Sequence, residues 1–360
     1  MLGVGVGVTS VPAMCGAARW QGHAAGGLVP DLVADFVADN YRAGGFGTGF
    51  DGLLVHARAS DATYIDSTGT IQTAAVDAPR LGNHVWTGTA WVNAGLLIET
   101  ESRTNLLLGS DAPVTQDVVV TAQPYTLSFT GSGSISLSGA STAGPLVGTG
   151  SGEANRVRLT FTPATGTLTL TVAGDVQMAQ LEAGATQSSY IPTAGSSVTR
   201  AADSLTIPAA KLPYSSVAMS IAMDGQMTYA DGDAAVEVVF GQWVADASNL
   251  IQIRLNTAAA NLGAVQPLQI YGGVVDFVLS AADAYSAGSG IPFSIASRHG
   301  STFINGAVDG TVLAENATPT ALPDLSAAVF RIAYDFMGTI STFRMWGADI
   351  GDAGIAEASG

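Results

Sequence analysis

Apolar and polar residues alternate with a period of two along most of the chain after residue 112. The alternation is clearest in five segments bounded by glycine or proline: residues 125–129, 134–138, 156–161, 167–172 and 176–181. A period of two is that of a β-strand, since successive side chains point to opposite faces of a sheet. Short strands separated by turn residues are typical of sandwiches. The pattern therefore predicts a jelly-roll β-sandwich over residues 112–203.

The same alternation resumes beyond residue 203 and predicts a second sandwich over residues 204–360. Its strand-like segments are residues 217–223, 235–241, 249–255, 268–271, 274–278, 292–296, 300–306, 327–332 and 339–346. A short helix over residues 349–357 is expected to close the chain. Residues 293–306, a strand followed by Phe-Ile-Asn-Gly, resemble the paired strands of concanavalin- or laminin-G-like sandwiches. The predicted fold class is all-β, with tandem β-sandwiches (jelly-roll-like, then concanavalin/laminin-G-like) after an extended N-terminal arm.

The N-terminal residues are less regular. Residues 2–9 alternate glycine with valine, a strand period that leaves one face without side chains. This segment suits either an arm that docks on a larger particle or a terminus that packs on its own protein. Residues 30–39 suit a short helix or a strand, and the spacing of their apolar residues favours the helix.

Composition and charge exclude several classes of function but do not identify one. The chain has 360 residues, of which 47% are hydrophobic and only 12% charged, with 44 glycines and one cysteine. The net charge of −16 argues against binding to nucleic acid or anionic lipid. A single cysteine allows no disulfide within the chain. We find no signal-peptide pattern and no apolar segment long enough to span a membrane, so no membrane insertion is expected.

Two blocks early in the chain and one cluster near residue 190 carry a family resemblance. The blocks run from His56 to Asp66 and from Gly95 to Leu108. The cluster reads Gln-Leu-Glu-Ala-Gly at residues 180–184, Ser-Tyr-Ile-Pro-Thr at 189–193 and Val-Thr-Arg-Ala-Ala-Asp at 198–203. Together they resemble a segment of tailed-phage and prophage virion proteins, which usually precedes sugar-binding β-domains.

The resemblance implies a non-enzymatic virion protein of the tail-fibre, tail-spike or head-fibre type, located in the virion and assembled in the host cytoplasm. Its partners would be other virion proteins, host cell-surface polysaccharide and further copies of itself, as a trimer. The implied organisation is a virion-docking arm (residues 1–50), a connector (51–111), the jelly roll (112–203) and the concanavalin/laminin-G-like sandwich (204–360). Two alternatives remain, a purely structural capsid or tail component and a polysaccharide depolymerase.

Catalytic and metal-binding patterns are weak. There is no Gly-x-Ser-x-Gly elbow, and the four histidines are scattered. A depolymerase needs two neighbouring carboxyl groups. The acids considered for that role, none in a recognisable catalytic motif, are Asp224, Glu237, Asp276 and Asp283. No cofactor is expected. Asp231 and Asp233 could bind Ca²⁺, although a solvated turn explains the same spacing.

Sugar binding requires exposed aromatic side chains that stack on pyranose rings, beside groups that form hydrogen bonds. The candidates for that surface are Trp86, Trp91, Trp243, Tyr271, Tyr285 and His299. For each, the alternative is a place in the core, which is favoured for Trp243 and Tyr271. Trp86 and Trp91 flank the turn of a predicted hairpin over residues 84–93, which favours their exposure.

Arg58, Arg80 and Arg103 lie among several acidic residues in the family-like blocks. They could join neighbouring subunits through salt bridges or fix a corner within one chain. The second interpretation is favoured. A further hairpin is predicted close by, over residues 63–73, from its Ser-Thr-Gly turn.

Overall fold

The computed structural model describes residues 22–230, 238–258 and 260–360, and its regular structure is almost entirely antiparallel β-sheet. The all-β fold class predicted from the period of two is confirmed. No helix in these ranges is long and apolar enough to cross a membrane.

Two stacked sheets form the larger sandwich. Ten described strands make one sheet: β1 (Leu32–Asp35), β2 (Asn40–Ala43), β3 (Phe46–Thr48), β7 (Arg80–Trp86), β8 (Trp91–Glu99), β19 (Ala218–Tyr229), β24 (Gly288–Gly300), β25 (Ile304–Val308), β26 (Thr311–Val312) and β28 (Met337–Trp346). Seven described strands make the other: β4 (Val55–Ala57), β18 (Ser204–Ile207), β20 (Val238–Asp246), β21 (Asn249–Asn256), β22 (Ala264–Tyr271), β23 (Val274–Phe277) and β27 (Phe330–Tyr334).

Aromatic side chains join these two sheets. The rings of Phe240 and Phe293 lie 4.7 Å apart, and those of Phe330 and Phe343 lie 4.9 Å apart. Each pair takes one ring from each sheet, and all four side chains are at most 3% exposed. Such tilted pairs add to the apolar burial that holds the sheets together.

A smaller sandwich stands between β8 and β18 in the chain. One of its sheets contains β10 (Gln116–Val120), β15 (Gly166–Ala173), β12 (Ser134–Gly139) and β13 (Leu146–Val147). The other contains β14 (Val157–Phe161), β11 (Tyr125–Thr130) and β16 (Gln177–Ala183). Its core is separate from that of the larger sandwich and is built around residues such as Leu127, Phe129 and Leu181.

The smaller sandwich is nested in the larger one, because strands from both sides of it in the chain complete the larger sheets. The chain enters it through β9 (Arg103–Asn105) and leaves it through β17 (Val198–Arg200). These two strands pair with each other, with Arg103 opposite Arg200. The larger sandwich therefore contains strands from residues 32–99, which were expected to form the arm and the connector, and it is not built from residues 204–360 alone.

The expected arm over residues 1–50 needs correction over its described part. β1 pairs with β28 on one side and with β2 on the other, so this segment is part of the large sheet. The helix favoured over residues 30–39 is wrong. β1 is central and buried on both faces, so its sequence is a continuous apolar run without the alternation of a half-exposed strand. Residues 1–21, which include the Gly-Val alternation, lie outside the described residues.

The expected connector is also divided between the sheets of the larger sandwich. β4 joins one sheet, while β7 and β8 form a hairpin on the other. A separate hairpin, β5 (Ala62–Ile65) with β6 (Ile71–Ala74), lies beside them. Both hairpins predicted from turn residues are confirmed.

The helices are short. α1 (Phe50–Leu53) leads into β4, and α2 (Gly351–Ala358) closes the chain near the expected position. Ile355 and Ala358 of α2 pack on Trp346 and on alanines of the large sheet, opposite the main core. Single 3₁₀ turns occur at Glu153–Asn155 and Ala209–Lys211.

Candidate functional site

The two tryptophans of the β7–β8 hairpin form an aromatic pair at the surface. Trp86 and Trp91 face each other across the hairpin, with ring centroids 5.4 Å apart and planes tilted by 51°. Trp86 is 41% exposed, and Trp91 is half-buried. The turn between them is closed by the Thr87 amide, which donates to the Ala90 carbonyl at 3.0 Å. The hairpin register therefore places two indoles side by side where a ligand can reach them.

The turn of the β5–β6 hairpin packs against the Trp91 indole. The turn residue Gly69 has φ +81°, and a Cβ at that position would lie 2.4 Å from the Trp91 indole. Asp66 fixes the turn, since its Oδ1 accepts hydrogen bonds from the amides of Thr68 and Thr70 at 2.9 and 3.0 Å. The Thr68 hydroxyl and these two amides lower the pKa of the Asp66 carboxyl. A glycine is thus required both by the backbone and by the ring that rests on it.

The tryptophan pair stands at a cleft of about 280 Å³ between the two sandwiches. The larger sandwich and its hairpins contribute one wall, and the smaller sandwich contributes the other through its 3₁₀ turn and the segment 187–190. The side chains of the cleft that bear on its chemistry are Tyr64, Asn83, His84, Glu99, Glu153, Arg156, Gln187, Ser189 and Tyr190. The guanidinium of Arg156 also lies over the Tyr190 ring, 5.4 Å from its centroid. Aromatic faces and polar groups therefore line the same recess.

A buried cluster of charges lies beneath this cleft. Glu99 Oε2 is 2.6 Å from Arg80 and 3.2 Å from Arg200. Burial alone would raise the pKa of Glu99, but Arg200 and Arg80 bring that pKa down to about 2. The Ser189 amide and hydroxyl also donate to Glu99, at 2.7 and 2.6 Å. This cluster ties the wall formed by the smaller sandwich to strand β8.

Asp203 completes the cluster from the segment that returns from the smaller sandwich. Its Oδ1 is 3.1 Å from Arg58, and its Oδ2 is 2.5 Å from Arg80. Burial opposes ionisation, but His56 and Arg80 hold the pKa of Asp203 below its ordinary value. Arg103 pairs separately with Glu101 at 2.6 Å. These contacts are within one chain, which agrees with the favoured interpretation of Arg58, Arg80 and Arg103.

Buried polar residues of the family-like motifs hold the smaller sandwich in place. The Asn105 amide donates to the carbonyls of Ala179 and Ile191 at 3.0 and 2.8 Å. Glu182 accepts from the amide of Ser188 at 2.8 Å and from the side-chain amide of Gln180 at 2.6 Å. Burial raises the pKa of the Glu182 carboxyl. The residues of these motifs therefore form the junction between the two sandwiches, and the cleft lies at this junction.

Three of the predicted aromatic candidates belong to the core, and the structure removes them from the candidate surface. Trp243 is fully buried, and its indole N–H donates to the Ala328 carbonyl at 3.0 Å. Tyr285 is 4% exposed, and its hydroxyl donates to Asp309 at 2.8 Å. His299 is fully buried, and burial lowers its pKa to about 3. Trp243 and His299 lie on strands β20 and β24, where strand period alone does not distinguish the inner from the outer face, and Tyr285 lies in the loop just before β24.

The core position favoured for Tyr271 is wrong, since Tyr271 lies at the end of β22 and is 45% exposed, but it also lies outside the cleft. The predicted calcium ligands Asp231 and Asp233 lie outside the described residues. Within the described ranges, no group of three or more His, Cys, Asp or Glu side chains could hold a metal ion.

The three described acids considered for a depolymerase, Asp224, Asp276 and Asp283, lie in different parts of the fold. Asp224 accepts hydrogen bonds from Ser294, Thr342 and Arg344 in the ten-stranded sheet. Asp276 lies on β23 of the other sheet and accepts from the Thr320 amide at 2.7 Å. Asp283 is a turn residue with φ +59°, and Glu237 lies outside the described residues.

Sequence reasoning missed most of the cleft. His84, Arg156 and Gln187 lie in three segments that only the fold brings together. Tyr190 belongs to the family-like motif at residues 189–193. That motif indicates the junction between the sandwiches and does not specify which side chains line the cleft.

No family model matches this chain, and no curated protein matches it. Solved structures give partial matches. The carbohydrate-binding module CBM40 of the Ruminococcus gnavus IT-sialidase is 12% identical over 41% of this chain and 84% of its own, with a TM-score of 0.32. A leech intramolecular trans-sialidase is 15% identical over 41% of this chain and 24% of its own, at 0.32. The binding domain of botulinum neurotoxin DC is 10% identical over 44% of this chain and 39% of its own, at 0.35. At these scores the likeness assigns neither a family nor a function.

Proposed function

We propose that this protein is a non-enzymatic glycan-binding protein and that a saccharide binds in the cleft against Trp86 and Trp91. The observation that carries the proposal is the tryptophan pair itself, exposed and adjacent at the entrance of a polar recess. An indole face packs well against the C–H face of a pyranose, while neighbouring polar groups bind its hydroxyls. The cleft volume of about 280 Å³ is near the lower end of ligand sites, which suits a short or terminal saccharide.

The proposal is tested by saturation-transfer NMR of the intact protein against a panel of mono- and oligosaccharides. We expect at least one saccharide to receive saturation, and this signal to be lost in the Trp86→Ala and Trp91→Ala variants. Tyr271→Ala is the matched control, because Tyr271 is as exposed as Trp86 but lies outside the cleft. Absence of any signal across the panel, or an equal signal in all variants, contradicts the proposal.

The proposed setting is a phage or prophage particle on which this protein mediates adsorption to a host polysaccharide. It rests on the motif resemblance at residues 56–66, 95–108 and 180–203. The association proposed with it is a homo-oligomer, a trimer, attached to other virion proteins through the N-terminal residues. Size-exclusion chromatography with light scattering tests the oligomer, and a monomer at micromolar concentration contradicts it.

A structural component without a ligand is the second candidate. It is favoured by apolar side chains exposed at the β22–β23 edge, where Tyr271, Val274, Val275 and Phe277 are each 45–50% exposed. An edge strand with exposed apolar residues is suited to contact with another copy of the chain. Val275→Asp would then shift the oligomer toward monomer, and neither this variant nor the wild type would bind a saccharide. An unchanged oligomer with this variant contradicts this second candidate.

A further inference from the structure

The positive charge that lines the cleft is already neutralised. The Nε and Nη2 atoms of Arg156 donate to the two carboxylate oxygens of Glu153 at 2.8 and 2.6 Å. Its Nη1 donates to the Ser128 hydroxyl at 3.2 Å and to the Met178 carbonyl at 3.1 Å. The side chains of Arg156 and Glu153 are each only 7% exposed. Four of the five N–H groups of Arg156 are occupied by these contacts, and the bidentate pair balances its charge, so an incoming anion would find one remaining Nη2 hydrogen and no uncompensated cation.

The carboxylate at the base of the cleft has its own counter-ions. Glu99 is balanced by Arg80 and Arg200, which are at most 1% exposed and therefore out of reach of a ligand. An anionic group placed in the cleft would consequently approach Glu99 and Glu153 without meeting an available cation. Removing a charge from water without a partner is costly.

The lining also offers a side-chain nitrogen that can accept a hydrogen bond from a ligand. His84 Nδ1 is 2.8 Å from the Gly82 carbonyl, and because a carbonyl only accepts, Nδ1 carries the hydrogen. The Nε2 atom of the neutral ring is then an acceptor. A hydroxyl group of a ligand can donate to this atom.

We infer that the cleft selects uncharged saccharides and discriminates against sialic and uronic acids. This inference rests on the proposed function and adds the charge class of the ligand. Three features support it: the paired Arg156, the enclosed carboxylates, and the acceptor atom of His84. The net charge of −16 acts in the same direction, since an acidic protein repels polyanions at a distance.

The test uses saccharides that differ only in charge. Methyl glucoside, galactoside and mannoside are compared with the corresponding uronides, and lactose with 3′-sialyllactose, by calorimetric titration of the intact protein. We expect the neutral member of a binding pair to bind at least about 10-fold more tightly. Equal or tighter binding of the acidic member, lost in Trp86→Ala, overturns the inference while the proposed function stands. If no member of any pair binds, the proposed function fails, and the charge preference fails with it.

A gain-of-binding variant tests the cause of the preference. Glu153→Gln keeps the shape of the side chain but releases the Arg156 charge toward the cleft. We expect it to tighten binding of the acidic member by about 5-fold or more, and Glu101→Gln, outside the cleft, to leave it unchanged. If Glu153→Gln folds with the wild-type melting temperature and leaves the ratio of acidic to neutral affinities unchanged, the pairing does not set the preference.

Discussion

Replacing Asp203 by asparagine removes one negative charge from the buried cluster beneath the cleft and changes little else in shape. Asp203 contacts Arg58 at 3.1 Å and Arg80 at 2.5 Å, and it accepts the Glu99 amide at 2.8 Å. Arg58, Arg80 and Arg200 are each at most 1% exposed, so water cannot take over the lost interaction. The variant leaves Arg58 without its carboxylate partner and leaves Glu99 as the partner of Arg80 and Arg200.

Breaking a buried ion pair by removing one partner costs about 3–5 kcal/mol, because the remaining charge is left uncompensated. At about 2–4 °C per kcal/mol for a domain of this size, we expect the melting temperature to fall by about 6–20 °C. Asp61→Asn is the control, since Asp61 is an exposed acid of the same segment. A surface change of this kind is expected to alter stability by less than about 0.5 kcal/mol.

Urea unfolding followed by tryptophan fluorescence measures both free energies. The larger sandwich contains the buried Trp243 and Trp346 as well as the tryptophan pair, so its unfolding is reported directly. A loss of less than about 1 kcal/mol for Asp203→Asn, or a loss equal to that of Asp61→Asn, refutes the view that this cluster holds the junction together.

Three further predictions concern the same junction and the cleft. The pKa of Glu99 is lowered on folding from 4.5 to about 2, so its contribution to stability is complete above about pH 4.5 and is lost as the pH falls toward 2. Urea titrations should therefore show a shallower loss of stability with acidification in Glu99→Gln than in the wild type, and parallel profiles contradict this. Gly69→Ala should cost about 1–3 kcal/mol and weaken saccharide binding by displacing Trp91. Gly44→Ala, which also has positive φ but meets no atom within 4 Å, should affect only the melting temperature. If both glycine variants bind saccharide like the wild type, Gly69 does not position Trp91. Asn105→Ala should lower the free energy of unfolding by at least about 2 kcal/mol, because it leaves buried backbone groups at β16 unpaired, and wild-type stability in urea would contradict this.

The all-β class and the two hairpins near the cleft follow from local signals. Alternation marks a strand wherever one of its faces is apolar and the other polar, and Thr-Gly turns mark the hairpin ends. β1 was predicted as a helix because it is buried on both faces of its sheet and therefore shows no alternation. A buried strand and a short buried helix have the same apolar composition.

The insertion of the smaller sandwich between strands of the larger one could not be predicted from the local pattern of apolar and polar residues. It depends on the pairing of β1 with β28 and of β4 with β18, across separations of about 300 and 150 residues respectively. The hydrophobic periodicity of a segment does not indicate which distant strand it pairs with. The motifs at Asn105 and Gln180 did mark the junction between the sandwiches, through buried hydrogen bonds that apolar side chains cannot supply.

For the site, the turn between Trp86 and Trp91 gave the useful signal, since residues that flank a tight turn are seldom enclosed. The strand positions of Trp243 and His299 gave no such signal, and both proved to be core residues. Whether an aromatic residue of a strand faces inward depends on register, which only the assembled sheets determine.

The binding of a saccharide against the tryptophan pair is tested most directly by calorimetry. The dissociation constant of one bound saccharide is measured for the wild type, for Trp86→Ala and for Tyr271→Ala. We expect Trp86→Ala to weaken binding by at least about 10-fold, equivalent to about 1.4 kcal/mol, and Tyr271→Ala to match the wild type. Equal affinity in all three proteins, or a loss confined to Tyr271→Ala, would contradict it.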